Sequence, residues 1–211
     1  MTVTRKGKSV RLVAAAAAAP TDVILADSGF YVDYTAMDED AHAKPPALTI
    51  LQRRTDCTAT LYGNAVDLSG QKELYVKSVS QEGSLEAGYG LLKVTTSKGT
   101  DLFFASYRLG THKAGGMETD AAGAMVPMDG TSIRAMYLGG GTRLAVSGAL
   151  IERGEPRLAY VEKLPGGSYV VGNPSPTDAT AKAALPGTGG GGPFSAKIKA
   201  GGRAELGAAA K

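Results

Sequence analysis

Between Leu102 and Gly116 the chain reads LFFASYRLGTHKAGG. An apolar run ends in Tyr107 and Arg108, then breaks into a loop carrying His112 and Lys113. The chain holds only two histidines, so this segment is its densest set of groups able to move a proton or hold an anion. One chemistry such a set would serve is β-elimination on a uronate. That reaction takes a base for the proton beside the carboxyl group and an acid for the leaving oxygen. It also takes cations to neutralise the carboxylate. Tyr107 and His112 are the candidate catalytic pair. Arg108 and Lys113 are the candidate binding residues, able to hold the anion and the developing enolate. The same four side chains also fit ligand or partner contact and, ahead of both, ordinary loop chemistry. Their spacing places them on one strand–loop segment and goes no further.

Other chemistry finds less support. There is no G-x-S-x-G elbow, no phosphate-cradling loop opening a helix, and no H-E-x-x-H or C-x-x-C. Asp38, Glu39 and Asp40 are adjacent, and neighbouring carboxylates point apart, so they read as a solvated loop with calcium as a minor option. Cys57 is the only cysteine, which excludes an intrachain disulfide and a cysteine-based metal site. Its alternation with polar residues reads as a small strand residue. No cofactor and no metal is expected. Gly139-Gly140-Gly141 lies between two strand patterns and reads as a wide hairpin turn.

Composition narrows the partners. The formal charge of +3 is small and the basic residues are scattered, so no nucleic-acid stripe is formed. Tryptophan is absent, which argues against the aromatic platforms common in sugar-binding modules, although tyrosine can substitute. The apolar stretch after Arg5, Lys6, Lys8 and Arg11 is alanine-rich and far too short to span a membrane. It resembles a weak targeting segment. Val10 and Leu12 fit a first strand equally well.

The elements that must carry these residues are strands. Apolar residues recur at a period of two. They mark Asp22–Leu25, Gly29–Thr35, Ala47–Arg53, Thr58–Tyr62, Glu73–Ser80 and Gly90–Thr96. They continue through Asp101–Tyr107, Ser132–Leu138, Thr142–Val146, Leu158–Leu164, Ser168–Val171 and Phe194–Lys199. Turn signals at Lys98-Gly99, Asp129-Gly130 and Pro165-Gly166-Gly167 separate several of them. Ala36–Ala43 reads as an acidic loop, and Asp178–Leu185 as a short helix before Pro186. The expected class is all-β, a two-sheet antiparallel β-sandwich or jelly-roll-like fold with little helix. Its expected organisation is a basic, then alanine-rich lead-in over 1–20 and a sandwich over 21–185. A glycine-rich linker over 186–193 and a last strand segment with its tail over 194–211 follow.

Three stretches carry a resemblance. They are GYGLLKVTTSKGTDLFFASYR, MDGTSIRAMYLGGGTRLAVSGALI and LAYVEKLPGGSYVVGNPSP. Their succession of paired strands resembles the C-terminal β-sandwich of heparinase II/III-like polysaccharide lyases. The resemblance implies a carbohydrate-associated sandwich contacting acidic, uronate-containing polysaccharide, and with it a secreted or periplasmic setting. In that family a helical toroid supplies most catalytic residues, and this chain shows no such domain, so no catalytic residue transfers by motif. The second expectation is a non-catalytic structural or assembly protein. It would contact another protein subunit through strand edges and the glycine-rich tail, as an oligomer. A stand-alone lyase acting by β-elimination is the third.

Overall fold

The computed structural model describes residues 2–5, 8–14, 22–27, 48–53, 55, 62–67, 75–186 and 194–206. The first strands are β1 (Thr2–Arg5), β2 (Lys8–Ala14), β3 (Asp22–Asp27), β4 (Leu48–Arg53) and β5 (Asn64–Asp67). β1, β2 and β5 form a small antiparallel sheet, and β3 pairs with β4. The remaining strands are β6 (Val76–Ser84), β7 (Tyr89–Thr96), β8 (Thr100–Ser106), β9 (His112–Ala114), β10 (Met117–Thr119) and β11 (Gly123–Asp129). They continue as β12 (Ser132–Ile133), β13 (Ala135–Val146), β14 (Ala149–Lys163), β15 (Tyr169–Gly172), β16 (Ala179–Ala184), β17 (Phe194–Ile198) and β18 (Arg203–Leu206). These thirteen are joined by one hydrogen-bond ladder. The protein is all-β and antiparallel throughout its named strands, as period-two patterning predicts. Among the described residues no helix is long and apolar enough to cross a membrane.

Two long strands convert the ladder into two sheets. The first half of β13 pairs with β11 on one side and with Arg157–Glu162 of β14 on the other. Its second half pairs with β10 and with Ala149–Glu152 of β14. The register breaks between these halves, at Leu138–Arg143 on β13 and between Glu152 and Arg157 on β14. A front sheet therefore runs β6-β7-β8-β11-β13-β14-β15-β18, and a back sheet runs β9-β10-β13-β14-β16-β17. The core lies between them. Leu91, Phe104, Leu138 and Val161 come from the front, and Met117, Leu144, Ile151 and Ala183 from the back, in one buried cluster. Alternation sends every second residue inward.

The GGG segment therefore differs from its expected role. Gly140 sits at φ 68°, and Gly139–Gly141 form the bulge at which β13 changes sheets. The hairpin turn is Ser147-Gly148, with φ 49° and 78°. Both signs are positive, as a tight type I′ turn requires. Asp178–Leu185 is likewise corrected, since Ala179–Ala184 is strand β16. Ala181 and Ala183 are buried, and β14 and β17 pair on either side, so tertiary pairing outweighs alanine's helix propensity. The glycine turns after β7, β11 and β14 fall where expected. Gly29–Thr35, Ala36–Ala43, Cys57 and the run 187–193 lie outside the described residues.

The small sheet forms a partial third layer. Val76, Val79 and Val94 pack on the outside of the front sheet against Val13, Ala65 and Tyr75. The Val76 N–H donates to Asp67 Oδ2 at 3.0 Å, and the Arg11 guanidinium donates to the Val76 carbonyl.

Candidate functional site

The Tyr107–Lys113 segment begins where β8 ends. Ser106 organises it. Its hydroxyl lies 3.0 Å from the Gly88 carbonyl and 2.6 Å from the Arg108 carbonyl, and it accepts the Arg108 N–H at 3.2 Å. His112 Nε2 sits 3.0 Å from Ser106 Oγ and 3.1 Å from the Arg108 carbonyl oxygen. The imidazole packs 5.1 Å from the Tyr89 ring and 5.8 Å from that of Phe104. His112 is thus held against the core edge. Sequence reading passed over Ser106, whose signal was its place six residues before a histidine at a strand end. Among the described residues no carboxylate hydrogen-bonds to His112, so this Ser–His contact lacks the third group that orients a nucleophile's base.

The four expected residues divide. β9 begins at His112, and alternation turns His112 and Lys113 to opposite faces. Lys113 reaches Glu118 at 3.1 Å on the back sheet. Glu118 also faces Arg143 Nε at 3.6 Å, and Arg143 pairs with Glu152. The Lys113 hydrogen bond and charge hold the Glu118 carboxyl below the usual range. Tyr107 and Arg108 stay together. Tyr107 is 58 % exposed, and the Arg108 guanidinium lies 5.9 Å from its ring centre. The Arg108 stem covers Gly88, where a Cβ would fall 2.5 Å from Arg108 Cδ.

A second surface lies beside this loop, on the outside of the front sheet. Register aligns Leu92, Phe103, Met125, Tyr137 and Tyr160 in one row across five strands. The next row is Gly90, Ala105, Gly123 and Gly139, small residues that lower the floor. The result is an apolar trough divided by the Phe103 ring, with concavities of about 430 and 490 Å³ on its two sides. The small sheet covers the β6–β7 end. The β8–β14 end is open, leaving Phe103 37 % and Leu158 55 % exposed. The floor is fixed in place. Tyr137 donates to Glu162 Oε1 at 2.6 Å, and its phenol is pushed up to about 12 by burial and by that carboxylate. Tyr160 lies on Gly172, where a Cβ would fall 2.0 Å from its ring. The available signal for this surface was unbroken apolar runs at Leu102–Phe104, Ala135–Leu138 and Leu158–Val161. A strand with one wet face alternates, whereas these are apolar on both faces.

Among the described residues no group of three or more His, Cys, Asp or Glu is placed to hold a metal ion. Comparison with protein-family models, curated proteins and solved structures finds no match to this chain.

Proposed function

We propose that this chain is a non-catalytic assembly module that docks another protein subunit on the open half of its front face. The observation that carries this reading is the aligned row from Leu92 to Tyr160, apolar on the solvent side of a sheet whose other side is already core. Tyr107 and Leu109, at 58 % and 97 % exposure, extend the apolar surface at the adjacent loop. Contiguous exposed apolar surface of this kind marks interaction sites. Its sparse polar lining suits protein side chains better than a sugar, whose hydroxyls need many hydrogen-bond partners. The test is light scattering of the purified chain across a concentration series. Leu158→Asp should abolish association, while Lys182→Asp on the back sheet should leave it intact. Equal behaviour of the two variants would sink the reading.

Tyr107 with Arg108 favours a second reading, contact with acidic polysaccharide. An exposed phenol ring beside a guanidinium suits a sugar face and its carboxylate. Binding of a uronate oligomer should fall with rising salt and with Arg108→Ala. A rise in ultraviolet absorbance from unsaturated product, lost on changing Tyr107 or His112, would add the lyase activity. A chain that binds no uronate oligomer at low salt has neither.

A further inference from the structure

Resting on the assembly reading, we propose that the occupant of the open trough is the β3–β4 hairpin of a second copy of this chain, the two copies exchanging hairpins. The hairpin is an insertion in the small sheet. The chain leaves that sheet at Ala14 and returns at Asn64, and these two residues are register partners. Gly63 and Asn64 line the concavity on one side of Phe103, so the chain that carries the hairpin rejoins the small sheet at the mouth of the trough. β2 and β5 already form a layer over the β6–β7 end of the same face, and a docked hairpin continues that layer over the rest.

The hairpin has the chemistry for this. It pairs from Asp22↔Arg53 to Asp27↔Leu48 and, among the described residues, with no other strand. An isolated two-stranded hairpin is marginal in water and gains most from a sheet to lie on. Register and alternation put Val23, Leu25, Leu48 and Ile50 at positions of one face and Ile24 and Leu51 at positions of the other. Size agrees as well. The open face from β8 to β14 crosses three strand spacings, roughly 14 Å at about 4.8 Å each, which a six-residue strand is long enough to span. Each hairpin strand has six residues, roughly 20 Å at about 3.3 Å each. Within the single chain Phe103 and Leu158 stay 37 % and 55 % exposed, which leaves the cover to a second copy. Reciprocal exchange gives a closed pair in which each trough receives one hairpin.

The experiment is a complementation by light scattering on the full chain. Wild type is expected to be a dimer. Leu158→Asp, which spoils the trough, and the double change Leu25→Asp, Ile50→Asp, which spoils the hairpin, are each expected to be monomeric. Mixing the two variants should restore a dimer, because the first still offers an intact hairpin and the second an intact trough. Circular dichroism checks that each variant folds. A milder probe places Leu25→Cys and Leu158→Cys on separate chains in a Cys57→Ser background, where oxidation should give an interchain disulfide. A dimer lost with Leu158→Asp but kept by the hairpin variant overturns the exchange and leaves the assembly reading standing. A monomeric wild type, or an intrachain disulfide when both cysteines are on one chain and none between chains, overturns the exchange outright. A dimer indifferent to Leu158→Asp overturns both.

Discussion

The front sheet turns Phe103, Met125, Tyr137, Leu158 and Tyr160 toward its outer side, whereas the back sheet turns out Lys113, Glu118, Arg143, Glu152 and Lys182. Both sheets are built from the same two long strands, and both bury aliphatic side chains in the same core. The difference therefore owes nothing to folding of the sandwich. A charged outer face is what a sheet facing only water carries. An apolar outer face, half covered by the small sheet, is what a sheet carries when a further layer belongs on it. On the assembly reading, the contrast puts the proposed docking surface on the front.

The sharpest way to break this comparison is to cut both faces of one strand. Phe103 and Phe104 are adjacent on β8 and point to opposite sides. Phe104 is 4 % exposed and its ring stacks 5.8 Å from Tyr89, whereas Phe103 is 37 % exposed. Phe104→Ala should cost about 3–5 kcal/mol in urea unfolding. Phe103→Ala should cost clearly less in the monomer and act on association instead. Equal losses of stability would mean that the front face is already core, and the contrast between the faces would be gone.

Much of this arrangement was legible in the chain. Gly90–Thr96 and Asp101–Tyr107 are rich in apolar, β-branched and aromatic residues and are joined at Lys98-Gly99, and they stand as β7 and β8. Other elements were not. β9 is HKA and β10 is MET, three residues each and too short for any period to register. Missing β9 hid the one fact that governs the candidate site, that His112 and Lys113 face opposite ways. β11 contains Gly123 and Pro127, both of which argue against a central strand, yet it pairs with β8 and β13. The bulge at Gly139–Gly141 and the turn at Ser147-Gly148 offer the same local chemistry. Only the pairing of both halves of β13 with β14 tells them apart.

The corner where the two faces part offers a smaller, pH-dependent test. Asp120 accepts from the Thr142 and Arg143 N–H groups at 2.8 Å each and from the Thr142 hydroxyl at 2.5 Å. It thereby pins the bulge that redirects β13. Burial pushes the Asp120 carboxyl up, but these hydrogen bonds outweigh it and hold the group below its usual value. The folded pKa is depressed, so the stabilisation is present above the unfolded pKa and is lost as pH falls through the folded one. Asp120→Asn should cost roughly 1.5–3 kcal/mol at neutral pH, the range for a hydrogen bond to a charged group. The gap to wild type should narrow as the solution is acidified. A gap that stayed constant down to strongly acid pH would show that the ionised carboxylate does not hold the corner.

The smallest expected effect lies on the back face itself. Lys113 is 77 % exposed, and its partner Glu118 also faces Arg143. Ion pairs between exposed side chains contribute little, because water screens them and two long side chains must be ordered. Lys113→Gln should therefore shift the melting temperature slightly at low salt. The shift should vanish near 1 M salt, where charges are screened over about 3 Å. It should also leave the oligomeric state unchanged. The same substitution matters to the sugar reading, since Lys113 was a candidate for holding a carboxylate. Its ammonium is turned to the back sheet, away from Tyr107 and Arg108, so uronate binding should not depend on it. A uronate affinity that fell as far with Lys113→Gln as with Arg108→Ala would move the binding surface to the charged face and reverse the assignment drawn from the two sheets.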